Sequence, residues 1–197
     1  LLAIIDMITG DRDVLYDVPW GQENGLEANL LVGGVARDEQ GARWLAEFKA
    51  LSEDPRYKGK LIIVEGTGIE TMQSAVQSCD IWLNKPRKTR EAAGTSDNRS
   101  AFNGHPNIAI DTGGPAEYIE NGVNGWLIDP FEGTGYSFED IVHGFALPDG
   151  YSEKEEIVKI FRENTTFGLA LYLSEASSLY HGLKEKEDPR WPQMMLC

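Results

Sequence analysis

Short apolar runs and longer runs of helical spacing alternate along the first two thirds of this chain. The short runs fall at residues 28–35 (Ala-Asn-Leu-Leu-Val-Gly-Gly-Val), 60–65 (Lys-Leu-Ile-Ile-Val-Glu), 80–83 (Asp-Ile-Trp-Leu), 107–111 (Asn-Ile-Ala-Ile-Asp) and 125–128. Each is too brief for a helix and apolar on both faces, the pattern of a buried strand. Between them, Trp44, Leu45, Phe48 and Leu51 recur at helical spacing and predict a helix over 40–52. Further helices are predicted over 69–78, over about 96–103 with a stop at Gly104, and over 115–121. Residues 1–8 read as a helix ending at Gly10. Strand and helix in alternation predict an α/β fold, a Rossmann-like parallel sheet with helices on both faces. From Tyr136 onward the pattern is helical, over 138–142, 152–164 and 166–184. Ser152 with Glu155 three residues later predicts a capping box. The expected organisation is thus a Rossmann-like domain over 1–135 and a helical C-terminal extension over 136–197 that packs on it. The tail, with Pro189 and Pro192 and an apolar end, is expected to pack on a domain outside this chain.

Composition narrows the partners. With 41% hydrophobic residues the chain has enough apolar material for a globular core. Lys and Arg number 18 against 32 Asp and Glu, a formal net charge of −14. Such a surface repels nucleic acid and anionic lipid, so neither is an expected partner. It also repels sugar phosphates, so any anion site must be built locally. Only Cys79 and Cys197 are present, which suits a reducing compartment and a cytoplasmic location. No apolar run is long enough to span a membrane. The start carries neither an initiator Met nor a basic leader, and reads as the interior of a longer protein. His105, His143 and His181 show no ligand spacing, so no metal site is expected. Gly133-Thr134-Gly135 reads as a plain turn, and Trp82 and Trp126 as core.

One segment carries candidate chemistry. In Glu91-Ala92-Ala93-Gly94-Thr95-Ser96 a glutamate precedes a small, glycine-containing loop, and Thr and Ser then cap a helix. Free backbone N–H groups and the positive end of the helix would converge there as an anion or oxyanion site. Small residues allow a ligand close to the main chain, and Glu91 is suited to accept from vicinal sugar hydroxyls. An ordinary capped helix after a loop explains these six residues equally well.

Cys79-Asp80-Ile81-Trp82-Leu83-Asn84-Lys85-Pro86-Arg87, the Glu91 to Ser96 segment, Asn103-Gly104 and Asn124-Gly125-Trp126 together resemble the glycogen and maltodextrin phosphorylase family. Asp54-Pro55-Arg56-Tyr57-Lys58-Gly59, leading into residues 60–65, adds to the likeness, which runs over about residues 30–128. The resemblance implies the C-terminal, donor-side half of a GT-B glycosyltransferase. Glu91, Ala93, Gly94, Thr95 and Ser96 would bind a glucosyl phosphate, with a glucan as acceptor. A second likeness overlaps it: Asp111-Thr112-Gly113-Gly114-Pro115-Ala116-Glu117-Tyr118-Ile119 is similar to donor domains of nucleotide-sugar-dependent retaining glycosyltransferases. The donor is therefore a sugar phosphate or a nucleotide sugar.

Two departures qualify these implications. The phosphorylases hold pyridoxal phosphate as a Schiff base on a lysine eight residues after the glutamate, and Arg99 stands there. A guanidinium stays protonated and forms no imine, so covalent pyridoxal phosphate is not expected. Arg99 either binds a phosphate as a fork of donors or is a surface arginine paired with Asp97 or water. The family also has a basic clamp on its first donor-domain strand. That strand would lie ahead of Leu1, so the domain is expected to lack it, and Arg37 and Arg43 read mainly as surface charges. An acceptor-side N-terminal GT-B domain would be missing as well. The chain alone is not expected to turn over, and a homo-oligomer stays open. Three functions remain: a phosphorylase-type donor domain, a nucleotide-sugar transferase domain, and a non-catalytic carbohydrate-binding module.

Overall fold

Strands and helices alternate as the apolar pattern predicts, and every strand pair is parallel. The computed structural model describes residues 28–36, 38–66, 68–91, 94–184 and 189–196. The expected helix over 1–8 and the surface role of Arg37 lie outside the described residues. Contacts divide the chain into two units, Leu1–Ser78 and Cys79–Cys197. The strands accordingly form two sheets, of two and three strands, where the sequence pattern suggested one.

In the first unit β1 (Leu30–Gly34) pairs with β2 (Leu61–Glu65), Leu30 opposite Leu61. Between them runs α1 (Glu39–Glu53), opened by Asp38, whose carboxylate accepts from the Gly41 N–H at 2.6 Å. It ends at Asp54, extended as a residue before proline must be. Arg43 pairs with Glu39 one helical turn away at 2.6 Å, and both side chains are exposed. Its expected role as a surface charge agrees with that placement. The unit closes with α2 (Ile69–Ser78), which buries Val76.

In the second unit β3 (Trp82–Asn84), β4 (Asn107–Ile110) and β5 (Gly125–Ile128) lie side by side in that order. The central strand β4 buries all four residues, and Ile108, Ala109 and Ile110 are wholly inaccessible. Gly125 is required in β5, because a Cβ there would stand 2.6 Å from the Asn107 carbonyl oxygen. Helices α3 (Thr95–Phe102) and α4 (Pro115–Tyr118) follow β3 and β4. Then come α5 (Phe138–Ala146), α6 (Ser152–Lys184) and α7 (Arg190–Leu196). Phe131, Ile141, Phe145 and Ile157 form a core in which Phe145 meets Phe131 and Phe161 edge to face. Trp126 is 1% exposed, stacks on Tyr172 and donates from Nε1 to Glu175 at 3.2 Å, which ties β5 to α6.

Four local expectations change. The two helices predicted over 152–164 and 166–184 are one helix of 33 residues. Asn164 does not break it, because its side-chain amide donates to the Pro130 carbonyl at 2.7 Å rather than to its own backbone. Ser152 is already inside the helix, since the Tyr151 carbonyl accepts from the Glu155 N–H. The observed capping box is Ser137 with Asp140, where aspartate does the work usually given to Glu or Gln. The tail packs within its own chain: Trp191 and Met194 are buried in α7, and Trp191 meets the Tyr180 ring of α6. Trp82, expected in the core, is only partly buried because β3 is an edge strand, whereas Trp126 is core as expected. The helices of 136–197 belong to the same contact unit as β3–β5, so the contact division falls at 78/79. No described helix is long and apolar enough to cross a membrane.

Candidate functional site

Parallel strands place their C-terminal ends on one edge, and in α/β proteins the turns leaving that edge form ligand sites. Here the turn after β3 carries the described residues 85–91 and 94, and the turn after β4 carries residues 111–114. Lys88 fastens the first turn to the sheet. Its ammonium lies 3.3 Å from Asp111, which follows β4, and 2.8 Å from Asp129, which follows β5. Only 14% of the Lys88 side chain is exposed, so these pairs are better shielded than surface ion pairs. The next residue, Thr89, has φ 77°, in the left-handed region that a β-branched residue avoids. The Arg90 N–H bonds to the Arg87 carbonyl across this turn at 2.9 Å. Lys88 and that bond hold the strained residue in place.

Gly94, not Thr95 or Ser96, is the N-cap of α3, and it has no side chain to cap the helix. Thr95 and Ser96 occupy its first turn, Thr95 exposed and Ser96 partly buried. Ala93 of the expected site, with Ala92, lies outside the described residues. Gly94 is buried, and a Cβ on it would meet Asp97 Oδ1 at 2.3 Å and Glu91 Oε1 at 3.2 Å. Two carboxylates therefore converge on this glycine. The second turn touches the same point: a Cβ on Gly114 would lie 3.6 Å from Asp97 Oδ2 and 3.8 Å from the Gly94 carbonyl oxygen.

Asp97 is fully buried and sets the local electrostatics. Tyr118 donates to its Oδ2 at 3.4 Å, and the Asn107 amide donates to the Tyr118 oxygen at 3.2 Å and to the Asp97 carbonyl at 3.2 Å. Burial, and then the Asp97 charge, push the Tyr118 phenol well above its usual pKa, so the phenol stays a donor. Among the described residues, Asp97 Oδ1 has no hydrogen-bond partner. Arg99, in contrast, lies exposed on α3, and no ion pair joins it to Asp97 among the described residues. Sequence reasoning singled out neither Lys88 nor Asp97. The usable signals were acidic residues just past two buried strands, Asp111 and Asp129, and an aspartate three residues after a capping glycine. A cavity of about 550 Å³ lies along the first turns of α6, lined by Asp149, Lys154, Val158 and Arg162 among others. None of its lining residues belongs to the two turns.

No protein-family model matches the chain. A maltodextrin phosphorylase from Thermococcus litoralis is 36% identical over 101 residues, 50% of this chain and 12% of that protein. A glycogen phosphorylase from Aquifex aeolicus is 31% identical over 132 residues, 66% of this chain and 19% of that protein. Over 50% to 66% of its length, this chain is thus similar in sequence to α-glucan phosphorylases. A glycogen phosphorylase from Mycobacterium tuberculosis agrees, 29% identical over 107 residues, 53% of this chain and 12% of that protein. The matches span only 12–19% of these curated relatives. Among solved structures, HepE from Anabaena in complex with UDP-glucose gives a TM-score of 0.43 at 16% identity, over 90% of this chain and 40% of that one.

The residues present do not fit the phosphorylases' pyridoxal phosphate. Arg99 offers no amine for an imine and faces solvent. At the head of α3 a buried carboxylate, Asp97, stands beside Gly94, and a cofactor phosphate would carry the same sign of charge there. Among the described residues no group of three or more His, Cys, Asp or Glu is placed to hold a metal ion.

Proposed function

We propose that this chain is the donor-side domain of a retaining glucosyltransferase of the α-glucan phosphorylase type, working with an acceptor-side domain on a glucan. Glu91, Ala93, Gly94, Thr95 and Ser96 take the glucosyl phosphate donor in the turn between β3 and α3. The observation that supports this most is the meeting of Glu91, Gly94 and Gly114 beyond the C-terminal ends of adjacent parallel strands. The Glu91 carboxylate beside this pair of glycines is suited to accept hydrogen bonds from vicinal hydroxyls. Relatives named as maltodextrin and glycogen phosphorylases make glucose 1-phosphate the first donor to test. A cytoplasmic location belongs to the same proposal.

Calorimetry of the chain with glucose 1-phosphate tests it. Saturable binding that disappears in Glu91→Ala is expected, and no heat with the unaltered chain overturns the proposal. A nucleotide-sugar donor is the second reading, favoured by the Gly113-Gly114 turn after β4, where Gly113 has φ 62°. Thermal-shift measurements with ADP-, UDP- and GDP-sugars separate the two, because stabilisation by a nucleoside diphosphate alone follows only from the second. The exposed Arg99 and the buried Asp97 favour a third, a non-catalytic carbohydrate-binding module. Glucosyl transfer by the protein, with either donor, rules that out.

A further inference from the structure

The head of α3 is the place in this fold where an anion would be expected to sit. Its first N–H groups have no partner within the helix, and the N-cap residue, Gly94, has no side chain to cap them. A helix N-terminus of this kind carries a partial positive charge and favours phosphate. Asp97 changes that. Its side chain is wholly buried and turns back on Gly94, with Oδ1 only 2.3 Å from the position of a Gly94 Cβ. That oxygen accepts no hydrogen bond among the described residues, although a buried carboxylate oxygen without a donor is costly. Glu91 Oε1 reaches the same point at 3.2 Å. Lys88, a shielded cation of the turn after β3, is already shared between Asp111 and Asp129.

We propose that Asp97 is a specificity-determining residue that closes the head of α3 to phosphate, so that the turn takes only the uncharged sugar ring of a donor. The inference rests on the reading above that this turn holds a glucosyl group, and it names which half of the donor is held. A phosphate at α3 would meet the Asp97 and Glu91 carboxylates at short range in a shielded site, where like charges repel strongly. A sugar hydroxyl meets no such repulsion and brings a proton that a carboxylate oxygen accepts. Asp97 acts through its charge on the helix terminus and need not touch the ring.

The test is a titration of the full chain and of Asp97→Asn with three probes: inorganic phosphate, methyl α-glucoside and glucose 1-phosphate. Amide resonances of Gly94, Thr95 and Ser96 report the α3 terminus, and calorimetry gives the affinities. Asparagine keeps the shape of the side chain and an oxygen for the Tyr118 hydroxyl. In the unaltered chain inorganic phosphate is expected to leave the three amides unmoved. In Asp97→Asn it is expected to move them, and affinity for phosphate and glucose 1-phosphate is expected to rise about tenfold or more. Methyl α-glucoside should stay within about threefold between the two proteins. Phosphate shifting those amides in the unaltered chain overturns the inference, and that titration needs no substitution. An unchanged ratio of phosphate to glucoside affinity in a folded Asp97→Asn overturns it too. If neither sugar binds while Asp97→Asn alone responds to phosphate, the exclusion by Asp97 stands and the glucosyl reading of the turn falls.

Discussion

The two sheets of this protein are built from similar short apolar runs and are covered very differently. In the pair β1–β2, Leu30 and Leu61 are buried while their neighbours Leu31 and Ile62 are 49% and 42% exposed. In β4 every residue is buried. Helix α1 is amphipathic yet buries no residue, and its Trp44 is 53% exposed. Strand β5, by contrast, sends Trp126 under α6 and leaves it 1% exposed. An apolar run therefore marks a strand without saying how many of its faces are covered. Coverage comes from what packs on it, and in the second unit that is the long helix α6. Gly168 lets α6 come close, since a Cβ there would stand 2.7 Å from Ile128 Cγ2.

The sharpest test of this contrast removes a large buried side chain from the second unit. Trp126→Ala is expected to cost about 3–5 kcal/mol in urea or guanidinium unfolding, from lost transfer energy and the cavity left behind. A loss below about 1 kcal/mol would mean that the packing of β5 on α6 is no tighter than that of the first unit. Gly125→Ala follows, at about 1–3 kcal/mol, because the new Cβ collides with the Asn107 carbonyl rather than with a movable side chain. A neutral result there would show that β4 and β5 tolerate a shift in register.

Tyr118 gives the second unit a pH dependence. Its phenol is raised by burial and by Asp97, so the folded state keeps a proton that the unfolded chain releases above about pH 10. The folded state then binds more protons, and stability falls as pH rises past that value. Below about pH 10 both states are protonated and the contribution is fully present. Tyr118→Phe should flatten the decline seen in chemical denaturation between about pH 9.5 and 11. An unchanged slope would remove Tyr118 from that role. In the first unit, Trp44→Ser and Arg43→Ala are each expected to change stability by no more than about 0.5 kcal/mol. A loss above about 2 kcal/mol for Trp44→Ser would mean that α1 carries a core after all.

The candidate site was only half legible before the fold was known. Glu91 and Gly94 stood out because a carboxylate beside a glycine-rich loop and a helix start is a local pattern. The cap was misassigned to Thr95 and Ser96, since hydroxyl residues usually cap and glycine does so less visibly. Asp97 was read only as a surface partner of Arg99, because its importance lies in being buried against Gly94, with one oxygen lacking a donor among the described residues. Lys88 escaped notice because its two partners are 23 and 41 residues away and meet it only at the sheet edge.

The apolar pattern determined where the strands and helices fall and that the strands run parallel, and the chemistry of arginine ruled out an imine at Arg99. These follow from local sterics and side-chain chemistry, which act within a few residues. Tertiary structure decided the rest. It split the strands into two sheets, joined residues 152–184 into one helix, and docked the tail on α6. It also brought Asp97 and Glu91 to the same glycine and suspended Lys88 between two strand ends. Burial and charge proximity depend on chain segments far apart in sequence, and only the folded chain brings those segments together.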